Sequence, residues 1–460
     1  MELKRYDSQT GLLDGSVAPS GFERSKIDIP ARRNIIIAGM LLLAIAIFIS
    51  LLLSYQTIFM AYSIFTIFVF MCYLVLWIDG AWEDKEPASI KEWPSVSLII
   101  PSYNSAHTIF KCVEACQKLK YPGKLDITVV DDGSTDGSCE KLHSIKGIRI
   151  IHKEKNEGKA AAMNTGILAS KGEIVGCVDS DTYPKEDALL HAVKYFEEDK
   201  KVGSVVLFIN TTPPKTFIQA VQEIEYWISF GFFFKTVAAI DGLYVTPGPM
   251  ALYRKRMFEE LGGFDEKNLT EDMEIALRMQ RHGWKIKACH TSVVFTEVPA
   301  TVKSLYRQRL RWFRGGIMNM LKYIDMFFNP THGNFGLFIL PVTLGSGFFA
   351  ALFILWTLLN YVRAGISYAA PWLSHFSILA ASGISVPFDP FLLDSAMIFG
   401  LISVVIWGYF VHKSFSISGQ KPHARHILPL LGILYLYPLF IGFTYLSAYV
   451  HEFSGKRYKW

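Results

Sequence analysis

Apolar residues along this chain fall into two regimes. Five long runs are almost unbroken: Ile35–Leu53, Thr57–Ile78, Phe335–Val362, Leu393–Val411 and Ile427–Tyr449. Each is close to or above the ~20 residues that an α-helix needs to cross a bilayer core. Gln56 and its neighbours separate the first two by a tight turn, which predicts a helical hairpin. Tyr368–Val386 is also apolar but is broken by Pro371, His375 and Gly383, the pattern of a re-entrant or interfacial segment.

From Asp79 to about Lys322 the pattern changes to short apolar runs, bounded by turn formers and charges. VSLIIP (96–101) predicts a buried strand, 105–119 a helix, and DITVVDDGSTDG a strand ending in acids. A strand near 148–152, a helix near 158–170 and IVGCVDSD follow, the last again a strand ending in acids. Strands alternating with helices predict a largely parallel sheet covered on both faces. Such sheets bind ligands beyond the carboxyl ends of their strands. Pro101–Asn104, Asp131–Asp132 and Asp179–Asp181 fall at three such ends and are expected to line one crevice.

The predicted order is therefore a cytosolic tail (1–33), a transmembrane hairpin (34–78) and a cytosolic α/β domain (79–300). Amphipathic interfacial helices (301–328) and a C-terminal membrane region (329–460), with about three helices plus the re-entrant segment, complete it. Arg32, Arg33, the basic stretch 307–314, Lys413, Lys421 and Arg425 flank the apolar runs on one side, which places tail and domain in the cytoplasm. That gives five crossings and an outside C-terminus, although Lys456, Arg457 and Lys459 then lie outside. Residues 1–33 are polar and mixed in charge, unlike a signal peptide.

Composition agrees with a membrane protein: 51% of residues are apolar and 19% charged, with mean hydropathy +0.27. A net charge of +5, spread along the chain, gives no reason to expect a nucleic-acid partner. The six cysteines lack metal-ligand pairing and read as reduced thiols.

The acids carry the candidate chemistry. In VDSD (178–181), Asp179 and Asp181 sit at a strand end that Thr182-Tyr183-Pro184 stops. Two carboxylates so placed suit Mg2+ or Mn2+ bridging to a diphosphate, though DSD alone is more often a solvated turn. Lys159 begins a predicted helix after Gly158, where a phosphate is favoured; an ordinary surface lysine fits as well. In LTEDMEIALRMQRHGW (269–284), Thr270 is a candidate N-cap and Glu271 and Asp272 favour the first turn. The chemical alternative is a general base. Gly248, between Pro247 and Pro249, marks a rigid turn where backbone can approach a ligand.

Together these motifs are more specific than singly. Asp131-Asp132, then Asp179-Ser180-Asp181, Thr270-Glu271-Asp272 and Gln308-Arg309-Leu310-Arg311-Trp312 occur in an order that resembles the family 2 glycosyltransferases of GT-A fold. The resemblance covers about residues 93–325 and is strongest to the membrane-embedded branch that makes cellulose, chitin, hyaluronan and poly-N-acetylglucosamine. It implies a Rossmann-like GT-A domain joined to a helical membrane domain in the cell membrane. By the same resemblance Pro101, Ser102, Tyr103, Asp131 and Asp132 hold nucleobase and ribose, with uridine expected, and Lys159 lies near the nucleotide. Asp179 and Asp181 bind the sugar-nucleotide and the metal, and Asp272 deprotonates the acceptor for inverting attack. Gln308 and Arg311 hold the diphosphate; Gly248, Glu271 and Trp312 belong to the acceptor side. The chain departs from the cellulose synthase pattern at its gating loop, where FSISGQK (415–421) is only a loose match.

Three functions compete on these grounds. One is processive extension and export of a β-linked polysaccharide, another the transfer of a single sugar to a lipid. The third is a transporter or structural membrane protein with an inactive domain, against which Asp181, Asp272, Arg311 and Trp312 together argue. No obligatory protein partner is indicated. On a helix, Gln308, Arg311 and Trp312 share one face, extended by Arg307 and Arg314, while Arg309 is expected to meet lipid headgroups or solvent.

Overall fold

A computed structural model describes residues 55–81, 92–343 and 395–454 continuously, with scattered residues within 44–53, 86–90 and 346–365. Eight strands form one sheet: β1 (Val96–Ser102), β2 (Leu125–Asp131), β3 (Arg149–His152), β4 (Ile174–Val178), β5 (Thr182–Pro184), β6 (Val202–Thr211), β7 (Met250–Arg254) and β8 (Lys285–Thr296). Their spatial order is β3-β2-β1-β4-β7-β6-β8-β5. The longer helices are α1 (Tyr55–Leu76), α2 (Ile109–Gln117), α3 (Lys159–Ala169), α4 (Phe217–Tyr226), α5 (Glu271–Arg281), α6 (Val302–Lys322), α7 (Ser395–Ile417) and α8 (Tyr437–Ser454).

Every residue of β1 and β4 is buried, as their continuous Val, Ile and Leu runs require when both faces are covered. On one face α2 inserts Ile109, Cys112, Val113 and Cys116, a helical stripe. On the other, α3 lies close because Ala160–Ala162 and Gly166 are small; a Cβ on Gly166 would come within 2.4 Å of Ile99. The two faces define two cores, with Leu98 and Ile100 in one and Ile99 in the other.

The sheet is mixed rather than largely parallel. β1, β2, β3 and β4 pair in parallel, as do β6 and β8. β7 runs antiparallel to both β4 and β6, and β5 antiparallel to β8. A short apolar run such as MALYR (250–254) carries no sign of its direction. The connection sets it: β7 enters from the turn around Gly248, beside the end of β4, and runs back along that strand.

Among the described residues, three helical stretches are long and apolar enough to cross a membrane: Thr57–Gly80, Ile398–Ile417 and Ala424–Glu452. They match three of the five expected runs. Ile35–Leu53 and Tyr368–Val386 fall largely or wholly outside the described residues, and Phe335–Val362 is described continuously only to Thr343. At the beginning of that last run, Phe335, Ile339 and Leu340 are buried in the sheet domain's second core, while Leu337 between them is exposed. Phe410 of α7 stacks on Phe232, and Trp77 also contacts Phe232, so the apolar helices rest on the segment after α4.

Candidate active site

The carboxyl ends of β1, β2 and β4 open on the same side of the sheet. Ser102 and Asp131 are register partners at the ends of β1 and β2. Both are buried, and Ser102 Oγ and Asp131 Oδ1 have no hydrogen-bond partner among the described residues. Groups of this kind cost free energy unless something meets them. Tyr103, the next residue, is half exposed and stands at the rim. Asn104 takes a left-handed conformation (φ 49°) and accepts from the Thr135 amide at 2.9 Å, tying the two strand-end loops together.

Asp132 organises the loop beyond. Its carboxylate accepts from the backbone amides of Glu157 and Gly158 and from Lys153 Nζ at 2.7 Å. Those bonds place Gly158, in a positive-φ conformation that favours glycine, at the start of α3. Lys159 is thereby turned into the crevice. Its Nζ is 2.5 Å from Asp179 Oδ1 and 3.4 Å from Glu271 Oε1. Burial alone lowers a lysine pKa, but Asp179, Glu271 and Asp272 outweigh it and hold the ammonium firmly protonated.

Three backbone contacts fix the DSD turn: Asp179 N donates to Pro249 O, Thr182 N to Asp179 O, and Glu297 N to Asp181 O. Asp181 has no ion-pair partner among the described residues. Burial and the neighbouring Asp179 charge push its carboxyl up to about 7. A pair of acids in that condition, one of them uncompensated, suits a divalent cation. Gly248 lies directly against the ion pair. A Cβ there would fall 2.6 Å from both Asp179 Oδ2 and Lys159 Nζ.

Asp272 opens α5. Its backbone carbonyl accepts from the Thr246 amide and hydroxyl, which pins the Gly248 turn to the helix. Its Oδ1 accepts from Met273 N at 2.8 Å. Burial and the adjacent Glu271 push the carboxyl up to about 6, while the charges of Lys159 and Arg311 restrain the rise. Lys159, Gly248, Glu271 and Asp272 line one small cavity with Thr246, Cys177 and Tyr253.

Helix α6, which contains Gln308, Arg311 and Trp312, brings Arg311 close enough for its charge to act on Asp272. A capping box of Thr301 and Ser304 starts it. Gly315 fits against Thr270, where a Cβ would come within 2.3 Å of Thr270 Oγ1. Asn319 Nδ2 donates to Thr270 Oγ1 at 3.0 Å, and Asn268 donates to Asn319. Thr270 thus occupies the N-cap position of α5 without capping it; its hydroxyl serves the contact with α6 instead.

Arg309 corrects an expectation. It does not face headgroups or solvent: its side chain is 1% exposed and ion-pairs with Glu225 at 2.6 Å. Its Nε also donates to Tyr437 OH, its Nη1 to Gln308 Oε1, and its guanidinium lies 4.0 Å from the Trp312 ring centre. Arg314 differs too, being buried and ion-paired with Glu452 rather than extending the Arg311 face. Burial of a guanidinium demands a carboxylate partner, and Glu225 of α4 supplies it. Phe415, from the weak gating-loop match, is buried against Trp227.

An α/β sheet with acids at its strand ends, a lysine on the adjoining helix and apolar helices beyond is a GT-A-like domain. Over 87% of this chain and 99% of the other, the fold matches that of the mannosyltransferase PcManGT from Pyrobaculum calidifontis, solved with GDP-Man and Mn2+ (TM-score 0.56, 19% identity). Residues 97–262 match the model of glycosyl transferase family 2, and the same chain carries helices of membrane-spanning length. Among curated relatives, it is 32% identical over 255 residues to the "Probable glycosyltransferase YdaM" of Bacillus subtilis (52% of this chain, 59% of that one). It is 27% identical over 259 residues to the poly-beta-1,6-N-acetyl-D-glucosamine synthase of Staphylococcus aureus (56% and 62%). The chain thus spans about three fifths of the length of these relatives.

Proposed function

We propose that this protein is an inverting transferase that moves a sugar from a nucleotide-sugar, UDP-linked by preference, onto a growing β-linked polysaccharide. The observation that carries the reading is the meeting of Asp179, Lys159, Glu271 and Asp272 around Gly248, with the charge of Arg311 acting on Asp272. The relationship to the poly-N-acetylglucosamine synthase supports a polysaccharide product.

In this reading the base and ribose lie between Tyr103 and the unpartnered Ser102 Oγ and Asp131 Oδ1. Lys159 and Arg311 supply fixed positive charge where the leaving diphosphate gains negative charge. Asp179 and Asp181 would hold Mg2+ or Mn2+, which neutralises diphosphate charge when bound. Asp272 takes the proton from the acceptor hydroxyl as that oxygen attacks the anomeric carbon. The bond to the diphosphate oxygen breaks as the new glycosidic bond forms, so configuration inverts. Trp312, with one face braced by Arg309, offers the aromatic surface that a sugar ring prefers.

A second reading is transfer of one sugar to a lipid acceptor, favoured by the contact of α6 with α8, which brings the site beside a helix of membrane-spanning length. One assay decides. The purified full-length protein is incubated with UDP-sugars and Mg2+ or Mn2+, and product size is measured. Long chains support the polysaccharide; a single-sugar lipid supports the second reading. Failure of every donor to turn over or hydrolyse overturns both. Asp272→Asn should lower transfer by at least ~10²-fold while UDP affinity stays within a few-fold; transfer at the parental rate removes Asp272 as the base.

A further inference from the structure

Away from the cavity around Gly248, the outer edge of the sheet holds a second group of chemically distinct donors. Asp131 ends β2 and His152 ends β3, and the two are register partners in the parallel pair. Cys139 lies in the helical turn Ser138–Leu142, between those strands in sequence. One ligating atom from each of the three falls within 4.8 Å of the others. His152 Nδ1 is 2.7 Å from Asp131 Oδ2 and 3.6 Å from Cys139 Sγ.

We propose that Asp131, Cys139 and His152 form a binding site for a borderline-soft divalent ion of the Zn2+ class, separate from the hard-cation pair Asp179 and Asp181. The donor set is the basis for selectivity: a thiolate, an imidazole and a carboxylate suit such an ion, whereas Mg2+ and Mn2+ favour oxygen. The spacing fits. Two ligands on one tetrahedral centre lie about 3–4 Å apart, which the sulfur and nitrogen already satisfy. The histidine and carboxylate stand at hydrogen-bond distance and part by about 1 Å when the shared proton gives way to the ion. Asp131 is fully buried, and its Oδ1 meets no partner among the described residues, so the carboxylate has coordinating capacity that its neighbours leave unused. Entry is open, because the His152 side chain is 45% exposed. A water can complete the fourth position from that side.

The site has a consequence that rests on the proposed function. Asp131 also faces the nucleotide end of β1, so a bound ion would draw its carboxylate away from the nucleotide. Micromolar Zn2+ would then weaken UDP binding where Mg2+ does not.

The test uses the full-length protein in detergent, titrated with Co2+ as a spectroscopic probe in the presence of excess Mg2+. The expected result is one Co2+ per chain with a thiolate-to-cobalt charge-transfer band. Cys139→Ser should abolish that band, and His152→Gln should weaken Co2+ binding at least ~10-fold. Melting temperatures of both variants without metal establish that they fold. Absence of the band in the parental protein overturns the site, as does a band that survives Cys139→Ser. Because binding is read without substrate, failure here leaves the transferase reading standing, and failure of transfer leaves this site standing.

Discussion

At the scale of single residues, the crevice is a balance of charges held close together. Lys159 is shared between Asp179 and Glu271, and Asp272 completes the acidic side. Under the proposed function, in which Asp272 is the base, its raised carboxyl has a direct kinetic consequence. A general base works only when deprotonated, so transfer should rise with pH through about 6 and level off above it. A pH–rate profile at saturating donor checks this; a rate that stays flat well below that pH would mean another group takes the proton. Gly248→Ala separates function from stability at the same place. The new Cβ would press on the ends of two flexible side chains, Asp179 and Lys159, and not on backbone. Transfer should fall at least ~10-fold by displacement of the reacting groups, with little change in melting temperature. A large loss of stability with normal activity per folded molecule would contradict this.

At the scale of elements, α6 is clamped on two sides. Its C-terminal half holds α5 through Gly315, Asn319, Lys322 and Tyr323; the last two both reach Glu274, at 2.8 and 2.7 Å. Its N-terminal half holds α4 and α8 through Arg309, and Phe313 stacks on Tyr445. Gly315→Ala must push against Thr270 Oγ1, Cγ2 and Cβ at once, where neither helix can yield freely. Overpacking of this kind costs about 1–3 kcal/mol, measurable as a lower melting temperature together with lost transfer. Arg309→Leu leaves Glu225 without its ion pair, at a cost of about 3–5 kcal/mol for a buried pair. It also removes the brace behind Trp312. Near-parental stability and acceptor KM in that variant would show that Arg309 neither holds the fold nor supports Trp312.

At the scale of the whole molecule, the parallel half of the sheet was legible because β1, β2 and β4 are apolar runs stopped by acids and turn residues. Asp131, Asp132, Asp179, Asp181 and Asp272 could be singled out for the same reason, since each sits at a strand end or a helix start; Gln308, Arg311 and Trp312 lie inside α6 and were singled out by the family resemblance. What was not legible depends on contacts between distant segments. Nothing in MALYR states the direction of β7, and nothing in QRLRW distinguishes Arg309 from Arg311; only the packing of α4 and α8 against one side of α6 does. Gly315 and Asn319 looked like ordinary helix residues until Thr270 was beside them. The same long-range contacts join the sheet domain to the apolar helices. Ser447→Ala combined with Glu452→Gln removes the partner of Tyr306 at 2.5 Å and the charge that balances buried Arg314. Nucleotide binding to the double variant should be unchanged within a few-fold while transfer falls; loss of both together would indicate general unfolding instead.

The bonds between α6 and α8 make one further property follow. The stretch that contains α8 is long and apolar enough to cross a membrane, and a span of that kind accommodates bilayer thickness by tilting, kinking or deforming the lipid. Tyr437, Ser447 and Glu452 are spaced along that helix, and each grips the helix that carries Arg311 and Trp312. Under the proposed function, lipid acyl-chain length is expected to act as a mechanical input to transfer. In vesicles of graded bilayer thickness the transfer rate should pass through an optimum that detergent-solubilised protein does not show.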